Sequence, residues 1–96
     1  EIIQPGTYLD APEQIATSNL LSLDGVNRLF YYFQNDSTVL KQGRYEIKED
    51  GTGVFYDEKD ALCGYAAAIS RESIQVFWTD NSYTIFGRHQ DATILP

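Results

Sequence analysis

Residues 74–88, IQVFWTDNSYTIFGR, have the composition of a β-hairpin. Aromatic and β-branched residues, which favour strands, surround the pair Asp80 and Asn81, whose side chains tolerate the positive φ of tight turns. A two-residue loop at Asp80-Asn81 would leave Phe77 and Phe86 facing outward, because side chains alternate between the two faces of a strand. The same register predicts three inward-facing cross-strand pairs: Trp78 with Tyr83, Val76 with Ile85, and Ile74 with Gly87.

A second hairpin is predicted around Asp50 and Gly51. Asp-Gly is a strong hairpin signal when runs of β-forming residues flank it, as they do in this chain. The register that a two-residue loop implies places Tyr45 opposite Tyr56 on the inner face. Phe55 then faces outward.

The length of 96 residues predicts a single domain, residues 1–96. The two hairpins indicate what kind of fold to expect for it. About eight short strands joined by short turns predict an all-β fold. Because nearly every connection reads as a hairpin, we expect a small antiparallel up-and-down β-barrel, with a β-sandwich as the alternative. One short helix is predicted near the N-terminus, with Asp10 as its N-cap, Pro12 in its first turn and Glu13 completing the start signal.

Three parts of the sequence resemble the lipocalin (calycin) signature. Residues 6–8, Gly-Thr-Tyr, resemble the Gly-x-Trp opening of the first strand, with Tyr8 where the family has tryptophan. Residues 79–83, TDNSY, resemble the Thr-Asp-Tyr turn between two late strands. Arg88 resembles the arginine that closes over one end of the barrel. The resemblance implies a barrel and a small apolar ligand.

The charge balance limits the classes of partner. Lys and Arg total 7 against 14 Asp and Glu, which gives a net charge of −7. Nucleic-acid backbones and anionic membrane surfaces both need basic patches, so neither is the expected partner. No apolar run approaches the roughly 20 residues of a membrane-spanning helix. An acidic surface is compatible with a basic protein partner.

The chain offers little for catalysis or metal binding. His89 is the only histidine and ends the last predicted strand, where no motif supplies an orienting carboxylate or a nucleophile. Cys63 is the only cysteine, so it cannot form an intrachain disulfide, and its small apolar neighbours predict a buried, inert thiol. One Cys and one His fall short of a zinc ligand set. We therefore expect no enzymatic activity, no metal and no cofactor.

The leading hypothesis is a non-enzymatic barrel that binds another protein through an acidic and aromatic outer face, in an inhibitor, immunity or adaptor role. The alternative is a lipocalin-like carrier of a small apolar ligand. Because the sequence begins at Glu1 and contains no methionine, we expect a processed, secreted or periplasmic chain, with a cytoplasmic location still open. The predicted partner-binding residues are Glu46, Phe55, Asp57, Glu58, Asp60, Phe77 and Phe86. The predicted ligand-binding residues are Tyr8, Tyr45, Tyr56, Trp78 and Tyr83.

Overall fold

Eight antiparallel strands close into a barrel in the computed structural model, which describes residues 2–96. Each strand pairs with the next one along the chain, and β1 pairs with β8 to complete the ring. The predicted up-and-down barrel is therefore confirmed, and the sandwich alternative is not. The strands are β1 (Gly6–Leu9), β2 (Leu20–Asp24), β3 (Leu29–Phe33), β4 (Val39–Ile47), β5 (Gly53–Asp57), β6 (Leu62–Ala68), β7 (Ser73–Trp78) and β8 (Tyr83–Gln90).

The alternating strand directions give the barrel two distinct ends. The loops that follow β1, β3, β5 and β7 lie at one end, which we call the mouth. The loops that follow β2, β4 and β6 lie at the other end, the base, together with residues 2–5 and the start of the segment 91–96. Within residues 2–96 no helix is long and apolar enough to cross a membrane.

The predicted N-terminal helix is wrong, because residues 2–96 contain no helix. Residues 11–18 form two consecutive turns instead, closed by bonds from the Gln14 amide to the Ala11 carbonyl (2.9 Å) and from the Ser18 amide to the Gln14 carbonyl (3.0 Å). The Asp10 carboxylate does not cap a helix. It accepts hydrogen bonds from the amide (3.0 Å) and the side chain (2.9 Å) of Asn19, so it ties the two ends of the loop together.

Four hairpin loops share one geometry, and each is three residues long. They span residues 35–37, 49–51, 58–60 and 79–81. In the last of them the Trp78 carbonyl accepts from the Asn81 amide (3.1 Å), and the Trp78 amide donates to the Ser82 carbonyl (2.9 Å). A type I turn followed by a left-handed residue gives this pattern. The left-handed residues of the four loops are Ser37 (φ 74°), Gly51 (φ 89°), Asp60 (φ 66°) and Asn81 (φ 74°).

The loop 79–81 has three residues where two were predicted, so the predicted register of β7 and β8 is wrong. Phe77 pairs with Tyr83, and Ile74 with Phe86. A shift of one residue moves every side chain of a strand to the opposite face. Phe86, predicted to face outward, is therefore fully buried, whereas Tyr83, predicted to face inward, is 61% exposed. Ile85, also predicted inward, lies on the outer face.

The same correction applies to β4 and β5. The loop 49–51 has three residues, so Tyr45 pairs with Phe55 and Arg44 with Tyr56. Phe55 is buried in the core instead of facing outward, and Tyr56 lies outside. Both errors have one cause: an Asp-Gly or Asp-Asn pair was assigned the whole loop, although the residue before it also belongs to the loop.

Aromatic rings and aliphatic side chains fill the barrel. Phe30 stacks on Phe55 with ring centroids 4.7 Å apart, and Phe55 also contacts Trp78 at 5.8 Å. Ile3 enters the core from the base. The core residues are Ile3, Tyr8, Leu21, Leu23, Phe30, Tyr45, Phe55, Ala66, Ile74, Val76, Trp78 and Phe86.

The C-terminal segment crosses the outside of β1 and β2. The Thr7 hydroxyl donates to the Ala92 carbonyl (2.8 Å) and accepts from the Ile94 amide (3.0 Å). The Ser22 hydroxyl donates to the Ile94 carbonyl (2.6 Å). These bonds satisfy the buried polar groups of Thr7 and Ser22, so this part of the outer wall is covered by the chain itself.

Candidate functional site

Four apolar side chains share the outer wall of β6, β7 and β8. Tyr65 pairs with Phe77, Phe77 pairs with Tyr83, and Ile85 lies two residues further along β8. They are exposed by 49% (Tyr65), 48% (Phe77), 61% (Tyr83) and 49% (Ile85). The rings of Phe77 and Tyr83 are 6.0 Å apart. We call these four residues the aromatic wall.

The strand sequences show why this surface is unusual. In β7, Ile74, Val76 and Trp78 point inward and are buried, so the barrel already has its apolar face. An antiparallel sheet with one solvated face normally alternates apolar and polar residues. Phe77 takes an outward position where that pattern calls for a polar residue, and its neighbours across the sheet do the same. Contiguous exposed apolar residues on a small protein are typical of an interaction surface.

Arg44 organises part of the predicted acidic surface beside this wall. Its guanidinium contacts the Glu46 carboxylate, and its Nε donates to Asp60 Oδ1 at 2.6 Å. It also lies over the Tyr56 ring, 4.1 Å from the centroid. The hydrogen bonds to Asp60 and Glu46 raise the pKa of Arg44. On the outer face of the sheet, Glu46 pairs with Val54, and Val54 pairs with Tyr65. One residue therefore separates this charged network from the aromatic wall.

The other two predicted acidic residues have local roles in the β5–β6 loop. Asp57 Oδ1 accepts from the amides of Lys59 (2.9 Å) and Ala61 (3.0 Å), so it shapes the loop. Glu58 accepts from Gln42 Nε2 at 2.8 Å and ties this loop to β4. The structure therefore places Glu46, Asp57, Glu58 and Asp60 in one region, as the sequence suggested, but Phe55 and Phe86 belong to the core.

Side chains close the mouth of the barrel over Trp78. Tyr32 stacks on Trp78 with centroids 5.6 Å apart, and Lys41 Nζ lies 5.2 Å from the indole ring. Lys41 also forms an ion pair with Asp80 at 3.7 Å. The Tyr32 hydroxyl donates to Asp10 Oδ2 at 2.9 Å. Burial, and then the hydrogen bond and charge of Asp10, raise the pKa of Tyr32 to about 12.

Arg88 closes the base against the first strand. Its Nη1 donates to the Tyr8 hydroxyl (2.8 Å), its Nη2 donates to the Pro5 carbonyl (2.8 Å), and it also pairs with Asp91 (2.9 Å). Burial raises the pKa of Tyr8, an effect that the Arg88 charge partly offsets. Arg88 therefore links the end of β8 to β1 and to the residues that precede it.

The five residues predicted for a ligand do not surround one cavity. Tyr8, Tyr45 and Trp78 pack in the interior, whereas Tyr56 and Tyr83 lie on the outer wall. The clefts that the structure describes open on the surface of the barrel. The Tyr45 hydroxyl is buried and has no hydrogen-bond partner among the described residues.

Two further residues were singled out for chemistry. Cys63 is half-buried and unpaired near the mouth, and burial, followed by the Asp57 charge, raises the pKa of its thiol. His89 lies exposed on β8. Among residues 2–96 no group of three His, Cys, Asp or Glu side chains is arranged to hold a metal ion.

The sequence analysis missed Tyr65 and Ile85, and for Ile85 the missing signal was a repeated loop motif. Residues 36–38, 50–52 and 80–82 each have Asp, one variable residue and then Thr or Ser. In each motif the Asp Oδ1 accepts from the amide two residues later, at 3.0 Å. Asp is then the middle residue of a three-residue loop. Counting β8 from that loop places Ile85 and Tyr83 outside with Phe77.

Comparison with protein-family models, curated proteins and solved structures found no match to this chain.

Proposed function

We propose that this protein binds a basic protein partner through the aromatic wall and does not act as an enzyme. The observation that carries the proposal is the outward row Tyr65, Phe77 and Tyr83 with Ile85 beside it, on a barrel whose core is already filled. Exposed aromatic residues supply large contact area at interfaces, and Tyr and Trp are frequent energetic hot spots there.

The charge distribution supports a basic partner. The β7–β8 loop carries Asp80 between the strands of Phe77 and Tyr83, and the Asp80 side chain is 58% exposed. Asp60 lies in a loop at the same end of the barrel, with its side chain 69% exposed. Asp80 is paired with Lys41 and Asp60 with Arg44, so it is the net charge of −7 of the whole chain that would steer a cationic protein towards the rings. Lys and Arg side chains also bind favourably over aromatic faces. An inhibitor, immunity or adaptor role fits such a surface.

A lipocalin-like carrier is the second candidate, and the closure of the base by Arg88 over Tyr8 favours it. Such a carrier would hold a small apolar ligand beside Trp78. Quenching of Trp78 fluorescence by an apolar probe would support the carrier. The dense packing of Phe30, Phe55 and Trp78 makes the protein-binding function the better supported of the two.

The test compares capture of proteins from native extract by three single variants and the wild type. Phe77→Thr and Tyr83→Thr remove rings from the aromatic wall and place threonine, a β-branched residue that favours strands, at each position. Val26→Thr is the matched control, because Val26 is 89% exposed in the β2–β3 loop at the opposite end. We expect the wild type and Val26→Thr to retain one basic protein that both wall variants lose, with weaker retention at high salt. Equal retention by all four proteins would contradict the proposal.

A further inference from the structure

The barrel has a strand edge at its mouth, on β8. β1 pairs with β8 from Gly87 towards the base, and the last residue of β1 in this ladder is Leu9. Residues 83–86 of β8 continue towards the mouth and pair with β7 alone. The part of β8 that carries Tyr83 and Ile85 therefore has no neighbouring strand on its β1 side.

The alternation of backbone groups shows which residues face this side. In an antiparallel strand, successive residues direct their N–H and C=O groups to opposite sides. The Arg88 amide donates to the Glu72 carbonyl on the β7 side (2.7 Å). No register shift interrupts the β7–β8 ladder, so the even-numbered residues of β8 face β7. Tyr83 and Ile85 therefore direct their N–H and C=O groups to the β1 side.

The chain that follows Leu9 does not pair with this edge. If β1 continued, Ala11 would lie opposite Ile85 and exchange hydrogen bonds with it. The Ala11 amide instead donates to Ser18 Oγ (3.0 Å), and the Ala11 carbonyl accepts from the Gln14 amide (2.9 Å). Both backbone groups of Ala11 are thus used within the β1–β2 loop. The N–H and C=O of Ile85 have no partner among residues 2–96.

Pro12 shows where the chain goes instead. A Cβ on Gly87 would lie 3.0 Å from Pro12 Cγ. Because Phe86 points into the core, this Cβ position lies on the outer face of β8. The chain therefore turns back over the outer face at Gly87, two residues short of Ile85. The Ile85 side chain, nearer the mouth, is 49% exposed.

We propose that the partner adds an extended segment to β8 beside Tyr83 and Ile85. This proposal rests on the proposed function, since the segment belongs to the same partner. A free strand edge recognises another strand through its backbone groups, and alternate side chains give selectivity. Because Tyr83 and Ile85 also belong to the aromatic wall, a strand added here would continue the surface of that wall.

The side chains around the edge determine which segment fits. On the outer face the added residues would lie beside Tyr83 and Ile85, which favours β-branched or aliphatic side chains there. Glu13 follows Pro12 in the β1–β2 loop, is exposed, and has no ion-pair partner among residues 2–96. No Lys or Arg occurs in residues 1–27. The segment is thus a strand with apolar residues on one face and a Lys or Arg that reaches Glu13.

The probe is the heptapeptide Lys-Thr-Val-Thr-Val-Thr-Lys, which presents its valines and lysines on one face when extended. Its control carries a methyl group on the amide nitrogen of every threonine and valine, so it cannot donate to a strand edge. Ile85→Pro removes the amide that faces the edge, and an edge position tolerates proline. Ile85→Ala keeps that amide and shortens only the side chain. We expect Ile85→Pro to bind the probe at least about tenfold more weakly than Ile85→Ala, and the methylated peptide not to bind.

A third peptide tests the charge of the occupant. It has Glu in place of both lysines, and we expect the wild type to bind it at least about tenfold more weakly than the probe. Glu13→Gln should narrow that difference, because it removes the unpaired carboxylate beside the edge. Equal binding of the Lys and Glu peptides by the wild type would overturn the basic occupant.

Hydrogen exchange gives a second measurement that needs no variant. The Ile85 amide should exchange fast in the free protein, and the probe should slow it, while the Phe86 amide, which faces β7, should be slow throughout. No binding of the probe, or no change at Ile85, would overturn strand addition. If Phe77→Thr still loses the captured partner in that case, the aromatic wall stands and only the strand is wrong. If the probe binds and Phe77→Thr retains everything, the edge stands and the aromatic wall is wrong.

Discussion

Gly64 lies directly opposite Trp78 across β6 and β7, and the indole ring occupies the space where a side chain at position 64 would begin. A Cβ on Gly64 would lie 3.1 Å from Trp78 Cε3 and 3.2 Å from the Phe77 carbonyl oxygen. Such contacts are acceptable only if the neighbour can shift. Trp78 is held by Tyr32 and Phe55, so it has little freedom to do so.

Gly64→Ala should therefore destabilise the barrel, by about 1–3 kcal/mol, which is the usual cost of adding a methyl group to a packed core. Chemical denaturation followed by Trp78 fluorescence measures it, since Trp78 is the only tryptophan. Ala67→Gly is a useful comparison, because Ala67 lies on the outer face of the same strand. An unchanged denaturation midpoint for Gly64→Ala would show that the indole ring can move.

The loop conformation predicts opposite effects of exchanging Ser and Gly at equivalent positions. Ser37 and Gly51 are the third residues of their loops, with φ of 74° and 89°. Glycine adopts positive φ without the steric cost that a Cβ brings. Ser37→Gly should stabilise the protein by about 0.5–1 kcal/mol, and Gly51→Ser should destabilise it by at least as much. Thermal unfolding of both variants tests this, and a loss of stability in Ser37→Gly would contradict it.

The same loops explain how far the sequence could predict the fold. Strand composition around Asp50-Gly51 and Asp80-Asn81 was enough to find the hairpins and to predict a barrel, because turn residues and β-forming residues act locally. The register was not predictable from the turn pair alone. It depends on whether Glu49 belongs to strand or loop, which the Asp-x-Thr motif that begins at Asp50 indicates and the hydrogen bonds of Lys48 show.

The prediction of which aromatic residues lie on the outer surface depended on that register, and the wrong register explains its errors. Phe55 and Phe86 were predicted outside and are core residues, while Tyr83 was predicted inside and lies on the aromatic wall. Phe77 was placed correctly, because the alternation of Ile74, Val76 and Trp78 along β7 does not depend on the length of the loop.

We expect the free energy of unfolding to fall in acid, because three loop carboxylates form hydrogen bonds that need their charged form. Hydrogen bonds from the residues two positions later lower the pKa values of Asp36, Asp50 and Asp80 below the ordinary value of 3.8. A lowered folded-state pKa means that the stabilising contribution is complete above pH 3.8 and disappears as the pH falls through the folded values. Thermal midpoints should therefore fall below that pH. Asp50→Asn should flatten this dependence, whereas Glu13→Gln in the β1–β2 loop should leave it unchanged.

Tyr32 predicts a loss of stability at the alkaline end. Its pKa of about 12 in the folded protein exceeds the ordinary value of 10.0. The main cause is burial, which disfavours the phenolate, and the second is the hydrogen bond that the neutral hydroxyl donates to Asp10. A raised folded-state pKa means that the contribution is fully present below pH 10 and is lost as the pH rises towards 12. Tyr32→Phe should be less stable at neutral pH, because it loses the bond that holds Asp10, and it should lose less stability across this alkaline range. Tyr65→Phe, altered at an exposed hydroxyl, should follow the wild type throughout. Unfolding by denaturant at successive alkaline pH values measures both, and equal slopes for Tyr32→Phe and the wild type would mean that another group carries the alkaline transition.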